Sequence, residues 1–308
     1  MCGIVGAVTQ RNVYKILIEG LRRLEYRGYD SAGLSIIDNQ QTLQTRKNIG
    51  KVAELVKVAE ANPVSGSTGI SHTRWATHGE PSSLNSHPHN SAGVSVVHNG
   101  IIENHVQLRE EMEAAGYKII SATDTEVVAH LVHYYLQKTQ NLRSAVAQTI
   151  SRLDGAYALG VISEEHPDTI VAARSGSPLV IGVGIDENFI ASDQMALRQV
   201  TDQFIFLEEG DLVELTSAAY SIFDQSGAPV ERVINQLDEA DQVAEKGQYR
   251  HFMQKEIFEQ PAVLANTIGG RLAVDHIREA IFGYRADEIF AETQNIHIIA
   301  CGTSFHSG

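Results

Sequence analysis

Seven short apolar runs crowd the stretch between residues 155 and 223, at 155–162, 169–173, 179–183, 189–192, 203–207, 212–215 and 220–223. The intervals hold turn formers, as in Ser175-Gly176-Ser177-Pro178 and Glu208-Glu209-Gly210-Asp211, and are too short for the crossover helices that parallel strands require. The stretch therefore predicts antiparallel sheet. Upstream, 2–8 reads as a short buried strand, and 13–24 carries Val13, Ile16, Leu17, Gly20, Leu21 and Leu24 at helical spacing. Runs at 33–37, 68–72 and 94–98 add strands, separated by Gly-, Pro-, Ser- and Asn-rich loops such as 79–90. Helices are predicted at 104–115 and 127–136, the second introduced by Thr123-Asp124-Thr125-Glu126, the pattern of a capping box. Sheets sandwiched by helices, an α+β plan, fit this order.

Apolar periodicity fades after residue 223. The segment 224–248 is rich in Asn, Gln, Asp and Glu and reads as a linker between a first domain at 1–223 and a second at 249–308. In the second, a helix is predicted at 252–265 and an apolar strand at 295–300 that runs into Cys301-Gly302-Thr303-Ser304. A strand and an incipient helix cannot bury their own apolar faces, so this unit is expected to be the truncated start of an α/β domain. Two domains also suit 308 residues at about 150 residues per domain.

Net charge excludes some partners. With 24 Lys and Arg against 38 Asp and Glu, the formal charge of -14 opposes attraction to nucleic acid or to an anionic membrane surface. No apolar run approaches the ~18 residues of a membrane span, and the N-terminus lacks a basic targeting region, so a cytoplasmic protein with no membrane partner is expected. Cys2 and Cys301 are the two cysteines and form no C-x-x-C pair, which argues against a disulfide framework or a zinc ribbon. Six of the 13 histidines, at 72, 78, 87, 89, 98 and 105, are close in sequence. Neither a carboxylate pair nor a His-Glu helix motif accompanies them, so no metal is expected there.

The residue richest in chemistry is Cys2. Removal of Met1 would place a free amine beside its thiol, and an α-amine titrating near 7.7–8.0 can serve the nucleophile as its base. The alternative is a small residue opening a buried strand. Four further segments decide between these readings. Cys2-Gly3-Ile4-Val5-Gly6, Glu25-Tyr26-Arg27-Gly28-Tyr29-Asp30-Ser31-Ala32-Gly33, His72-Thr73-Arg74-Trp75-Ala76-Thr77-His78-Gly79, His98-Asn99-Gly100 and Thr123-Asp124-Thr125-Glu126 resemble, in order, the motifs of the N-terminal-nucleophile (class II) glutamine amidotransferases.

The resemblance implies a four-layer αββα sandwich, Cys2 as nucleophile, and Asn99 with Gly100 as oxyanion donors. It also implies Arg74, Thr77, His78 and Asp124 as contacts to L-glutamine, Trp75 as a gate on the ammonia route, and no cofactor. Each role suits its residue: Arg74 offers a planar fork for a carboxylate, Asp124 an anion for an ammonium, and Asn99 with Gly100 convergent N–H donors. On their own these residues have bland readings as well, an Asn-Gly hairpin for 99–100 and a favourable first-turn acid for Asp124.

The segments His251-Phe252-Met253-Gln254-Lys255-Glu256-Ile257 and Cys301-Gly302-Thr303-Ser304 resemble the sugar-phosphate isomerase half of the amino-sugar-forming members. That implies fructose 6-phosphate as ammonia acceptor in a full-length homodimer, with Cys301, Gly302, Thr303 and Ser304 opening the sugar-phosphate pocket. Amidophosphoribosyltransferase and asparagine synthetase share the first domain's logic without these two segments, and a silent glutamine-binding module is the non-enzymatic alternative.

Overall fold

The computed structural model describes residues 2–75, 79–237, 248–268 and 286–308. They fall into two compact units that divide at residues 243 and 244. The first opens with strand β1 (Gly3–Val8), helix α1 (Tyr14–Leu24), β2 (Ser31–Ile37), β3 (Leu43–Ile49), α2 (Val52–Ala61) and β4 (Thr68–Arg74). It continues through β5 (His89–Ser91), β6 (Val94–Ile102), α3 (His105–Ala114), α4 (Glu126–Thr139) and α5 (Leu142–Ile150). Nine strands complete it: β7 (Gly155–Ser163), β8 (His166–Ser175), β9 (Val180–Val183), β10 (Asn188–Ala191), β11 (Gln203–Phe206), β12 (Leu212–Leu215), β13 (Tyr220–Phe223), β14 (Pro229–Val230) and β15 (Ile234–Gln236).

Two sheets result, one ordered β15-β11-β9-β10-β1-β4-β2-β3 and the other β14-β13-β12-β8-β7-β6-β5. The strand pairings within them are antiparallel. Three apolar clusters define the layers. Ile4, Val8, Ile70, Val97, Ile162 and Val213 belong to one, where the inner faces of the sheets meet. Val5, Ala7 and Ala32 instead join Leu17, Leu21 and Leu55 of α1 and α2, while Val96, Leu159 and Val161 join Leu108, Leu131 and Val146 of α3, α4 and α5. Helices on sheet on sheet on helices is the αββα plan.

The split within β1, with Ile4 and Val8 facing inward and Val5 and Ala7 facing α1, is the period-2 alternation of a strand. Both faces are buried, so the sequence reads as an unbroken apolar run instead of an amphipathic one. Full burial of a Leu or Ile side chain contributes roughly 1.5–3 kcal/mol. The inter-sheet layer thus fixes the position of the β1 N-terminus that carries Cys2.

Three local expectations need correction. Thr125, rather than Thr123, is the N-cap of α4, and it makes no side-chain cap hydrogen bond. Thr123 Oγ1 instead pairs with Ser121 Oγ (2.9 Å) and His89 Nε2 (3.0 Å). The Glu126 carboxylate does reach back, but to the N–H groups of Ile120 (2.9 Å) and Ser121 (2.6 Å). Burial alone would raise the Glu126 carboxyl, but hydrogen bonds from His130, Ser121 and Ile120 hold it down to about 2. The box does not form because Thr123 is engaged by Ser121 and His89, and Glu126 by the backbone of the loop just ahead of it.

The second correction lies in the segment expected as linker. β14 and β15 extend one sheet each, and Arg232 between them donates to both oxygens of the fully buried Asp211 (3.0 and 2.8 Å). A charged pair anchors this chain where apolar periodicity is absent.

The third lies in the second unit, which contains α6 (Phe252–Ile268), α7 (Ala286–Glu292) and α8 (Gly302–Ser307). Residues 295–300 form no strand, and Ile296, Ile298 and Ile299 are exposed. No described strand of this unit offers the ladder of N–H and C=O partners that an extended segment needs. No helix among the described residues is long and apolar enough to cross a membrane.

Candidate active site

Cys2 lies just ahead of β1, whose Gly3 faces Thr73 of β4. β4 ends at Arg74, opposite Ser31 of β2, and the next residue closes on the cysteine. The Trp75 N–H donates to Cys2 Sγ (3.2 Å), and the thiol lies 3.7 Å from the Trp75 carbonyl. Burial pushes the Cys2 thiol above its ordinary pKa, opposed by the Trp75 N–H. The sulfur is therefore kept as a thiol near neutral pH, and attack on a carbonyl requires a base. Trp75 itself is 54% exposed, so it is not the packing residue that a lone tryptophan usually is.

The other sheet supplies Asn99 and Gly100 from the end of β6. Asn99 Nδ2 donates across the sandwich to the Cys2 carbonyl (3.2 Å). Gly100 has φ +131°, and a Cβ there would lie 1.9 Å from the Ala156 carbonyl oxygen of β7. Only glycine fits this position. The Asn-Gly pair is consequently no hairpin turn, since Asn99 and Gly100 pair with Ala158 and Tyr157 within the β6–β7 ladder.

Arg74 is 4% exposed, and its Nη2 donates to the Gly79 carbonyl (3.1 Å). The loop after residue 78 is pinned in turn by Asn85, whose Nδ2 donates to the Glu80 carbonyl (2.9 Å) and whose Oδ1 accepts from the Ala122 N–H (2.9 Å). Asp124 follows two residues later. Its Oδ2 accepts from the Ile102 N–H (2.8 Å) and lies 3.9 Å from His98 Nδ1. A carboxylate has about four acceptor positions, so capacity for an ammonium remains. Thr77 and His78 lie outside the described residues.

Around this group the sequence reasoning missed a structural set. His72 Nε2 lies 2.9 Å from Asn99 Oδ1. The His87 ring stacks on His72 with centroids 4.2 Å apart and meets His89 edge-on at 4.9 Å. His98 Nδ1 pairs with Thr125 Oγ1 (2.8 Å). Burial depresses these imidazoles, His72 to about 3 and His87 and His89 well below their ordinary value. Among the described residues, no group of three or more His, Cys, Asp and Glu is arranged to hold a metal. The density of histidines between 72 and 105 was the available signal, and His72, His87, His89 and His98 among them form a buried polar layer.

Arg27 adds a tether. It pairs with Asp193 and lies 3.4 Å from Ser192 Oγ, which accepts the Ile4 N–H (3.0 Å). The 25–30 segment is thereby fixed to the start of β1. In the second unit Cys301 and Ser304 are exposed, Cys301 being the N-cap of α8; the Thr303 side chain is outside the described set.

Residues 72–199 match the glutamine amidotransferase domain family. Over its full length the chain is 55% identical to glutamine–fructose-6-phosphate aminotransferase (isomerizing) of Pseudomonas putida and 54% identical to that of Escherichia coli K12, covering 51% of each. The chain thus spans about half the length of the curated relatives it matches. Among solved structures, the glutamine phosphoribosylpyrophosphate amidotransferase of B. subtilis superposes with TM-score 0.59 at 26% identity, over 77% of this chain and 50% of that one. A class-II glutamine aminotransferase domain protein of Silicibacter pomeroyi shares the fold, with TM-score 0.51 at 16% identity over 74% of this chain and 100% of that one. Over its whole length this chain is similar to half of a glutamine–fructose-6-phosphate aminotransferase, and its residues 72–199 match the glutamine amidotransferase domain family.

Proposed function

We propose that the chain releases ammonia from L-glutamine through a thioester on Cys2, and that in a protein carrying the remaining half this ammonia passes to fructose 6-phosphate, giving glucosamine 6-phosphate. The observation that carries the reading is the Asn99 amide of one sheet bonded to Cys2 of the other. It supports the reading because it holds the Asn99 amide against the residue that carries the thiol.

The α-amine of Cys2, freed by removal of Met1, accepts the thiol proton as Sγ attacks the side-chain amide carbon. Charge then gathers on the former carbonyl oxygen, facing Asn99 Nδ2–H and the Gly100 N–H. The protonated amine gives its proton to the leaving nitrogen, the C–N bond breaks, and ammonia departs. Water then attacks the thioester and releases glutamate and the free thiol. Arg74 holds the substrate carboxylate and Asp124 its ammonium, with Thr77 and His78 as further contacts. Trp75 gates the ammonia, and Cys301, Gly302, Thr303 and Ser304 begin the sugar-phosphate pocket. Protein groups supply every step, so no metal or organic cofactor is called for.

Ammonia release by purified protein tests the reading directly, and two finer outcomes are expected. Protein whose intact mass shows quantitative retention of Met1 should be inactive, because an amide nitrogen at Cys2 cannot take the proton; full activity in that form would remove the amine from the mechanism. Arg74→Lys should raise KM for glutamine by about 10–100-fold, since a bidentate charge-assisted pair loses a bond worth about 1.5–3 kcal/mol, while kcat stays close to wild type. Unchanged KM in steady-state kinetics would take the carboxylate away from Arg74.

A further inference from the structure

We propose that His72 is a positioning residue for the oxyanion donor: its Nε2–H fixes the Asn99 side-chain amide so that the amide nitrogen faces Cys2. The inference deepens the proposed reaction and rests on that reading of Asn99.

The orientation of the amide follows from its two neighbours. Asn99 Nδ2 meets the Cys2 carbonyl, which can only accept, so the amide oxygen must face the other way. There it meets His72 Nε2 at 2.9 Å. An amide oxygen can only accept, so Nε2 carries the proton and His72 is the Nε2–H tautomer. Burial holds the imidazole down to about 3, so the ring is neutral throughout the working pH range and has one proton to place. The polarity of the chain is therefore fixed as His72 Nε2–H to Asn99 Oδ1, then Asn99 Nδ2–H to the Cys2 carbonyl. One Nδ2 hydrogen is used on Cys2, and the second remains for the developing oxyanion.

The imidazole is itself held in place. His72 lies within β4, paired with Ile4 of β1 on one side and Gly33 of β2 on the other. The ring of His87 stacks against it at 4.2 Å. His87 can approach because position 33 lacks a side chain, where a Cβ would lie 2.1 Å from the His87 carbonyl oxygen. His72 Nδ1 is buried with no hydrogen-bond partner. The His98 backbone also lies close enough to favour an N–H on the ring, and the side-chain partner of Nε2 is Asn99. A residue serving only to fill the interior would have no need of that nitrogen.

The test combines a spectroscopic and a kinetic measurement on the full chain. In wild-type protein carrying ¹⁵N-histidine, two-bond ¹H–¹⁵N correlation spectra, with the His72 signal assigned by its loss in His72→Gln, should show the Nε2–H tautomer with no protonation down to pH 5. An Nδ1–H tautomer or an imidazolium would overturn the proposal and needs no variant to be active. In the kinetic arm, His72→Leu removes the donor and His72→Gln retains one at a similar reach. His72→Leu should lower kcat for ammonia release about tenfold, less than the ~10²–10³ lost with an oxyanion donor itself, with KM for glutamine unchanged. His72→Gln should recover most of that loss. In an Asn99→Ala background His72→Leu should cost nothing further, because the group it positions is gone. An equal kcat loss in both backgrounds, or a leucine variant as active as wild type, would make His72 a structural residue. Should wild type neither release ammonia nor react at Cys2 with an electrophilic glutamine analogue, the reaction itself would fail, which is a different outcome from a wrong tautomer or an additive cycle.

Discussion

Cys2→Ala should silence ammonia release from glutamine, by roughly the 10⁶-fold that loss of a catalytic nucleophile costs a serine protease, while glutamine binding measured by calorimetry persists. Cys2 supplies the bond-forming sulfur, whereas the groups assigned to the amino-acid end of the substrate are Arg74 and Asp124, on β4 and just ahead of α4. An electrophilic glutamine analogue should label Cys2 stoichiometrically, with glutamine protecting. Peptide mapping is needed, because Cys301 is the more exposed thiol and accessibility alone would favour it. Label on Cys301, or wild-type turnover by Cys2→Ala, would move the chemistry elsewhere. The same thiol makes a pH prediction. In protein that retains Met1, burial raises the Cys2 pKa, so the thiolate fraction at neutral pH is smaller than for free cysteine. Alkylation by iodoacetamide should then rise through a midpoint above the ~8.5 of a free thiol. A midpoint below that value would mean that the Trp75 N–H and nearby cations outweigh burial.

The layers were legible because they rest on local pattern. The runs at 212–215 and 220–223 recur unchanged as β12 and β13, for their turns are encoded beside them. The stripe of Val13 to Leu24 became α1, starting one residue later at Tyr14. Legibility failed where local pattern does not fix a group's partner. Glu126 was expected to cap its own helix, yet its oxygens serve Ile120 and Ser121. The run at 295–300 has the composition of a strand, but composition cannot supply a pairing neighbour.

At the candidate site, motif likeness named Cys2, Asn99, Gly100, Arg74 and Asp124 without showing how any of them meets another. The structure supplies the contact for Asn99, a hydrogen bond between residues 97 positions apart on different sheets. His72 escaped notice as a positioning group because its partner Asn99 lies on another strand, and because a histidine-rich stretch first invites a question about metal. Buried polar layers of this kind leave no periodic signature. Their members are specified by one another and not by the strand they occupy.

Gly100→Ala should damage stability and catalysis together, and so separate a geometric requirement from a chemical one. The residue sits at φ +131°, where an L side chain is strained by about 1–3 kcal/mol, and its new Cβ would lie 1.9 Å from the Ala156 carbonyl oxygen. Backbone cannot swing aside as a side-chain tip can, so the β6–β7 ladder must open locally. A total loss of about 2–4 kcal/mol is expected, in the range of strain at special backbone positions, which lowers Tm by about 5–15 °C at the 2–4 °C per kcal/mol of a domain this size. The same shift moves the Gly100 N–H off the oxyanion position, so kcat should fall by roughly the 10²–10³ of a lost donor. Asn99→Ala is the companion measurement. It removes a donor without forcing the backbone, and should lose comparable kcat with a much smaller change in Tm. If Gly100→Ala melts like wild type, the close approach to Ala156 is relieved without cost. If it melts lower but turns over normally, the Gly100 N–H is no part of the oxyanion site and Asn99 bears that charge alone.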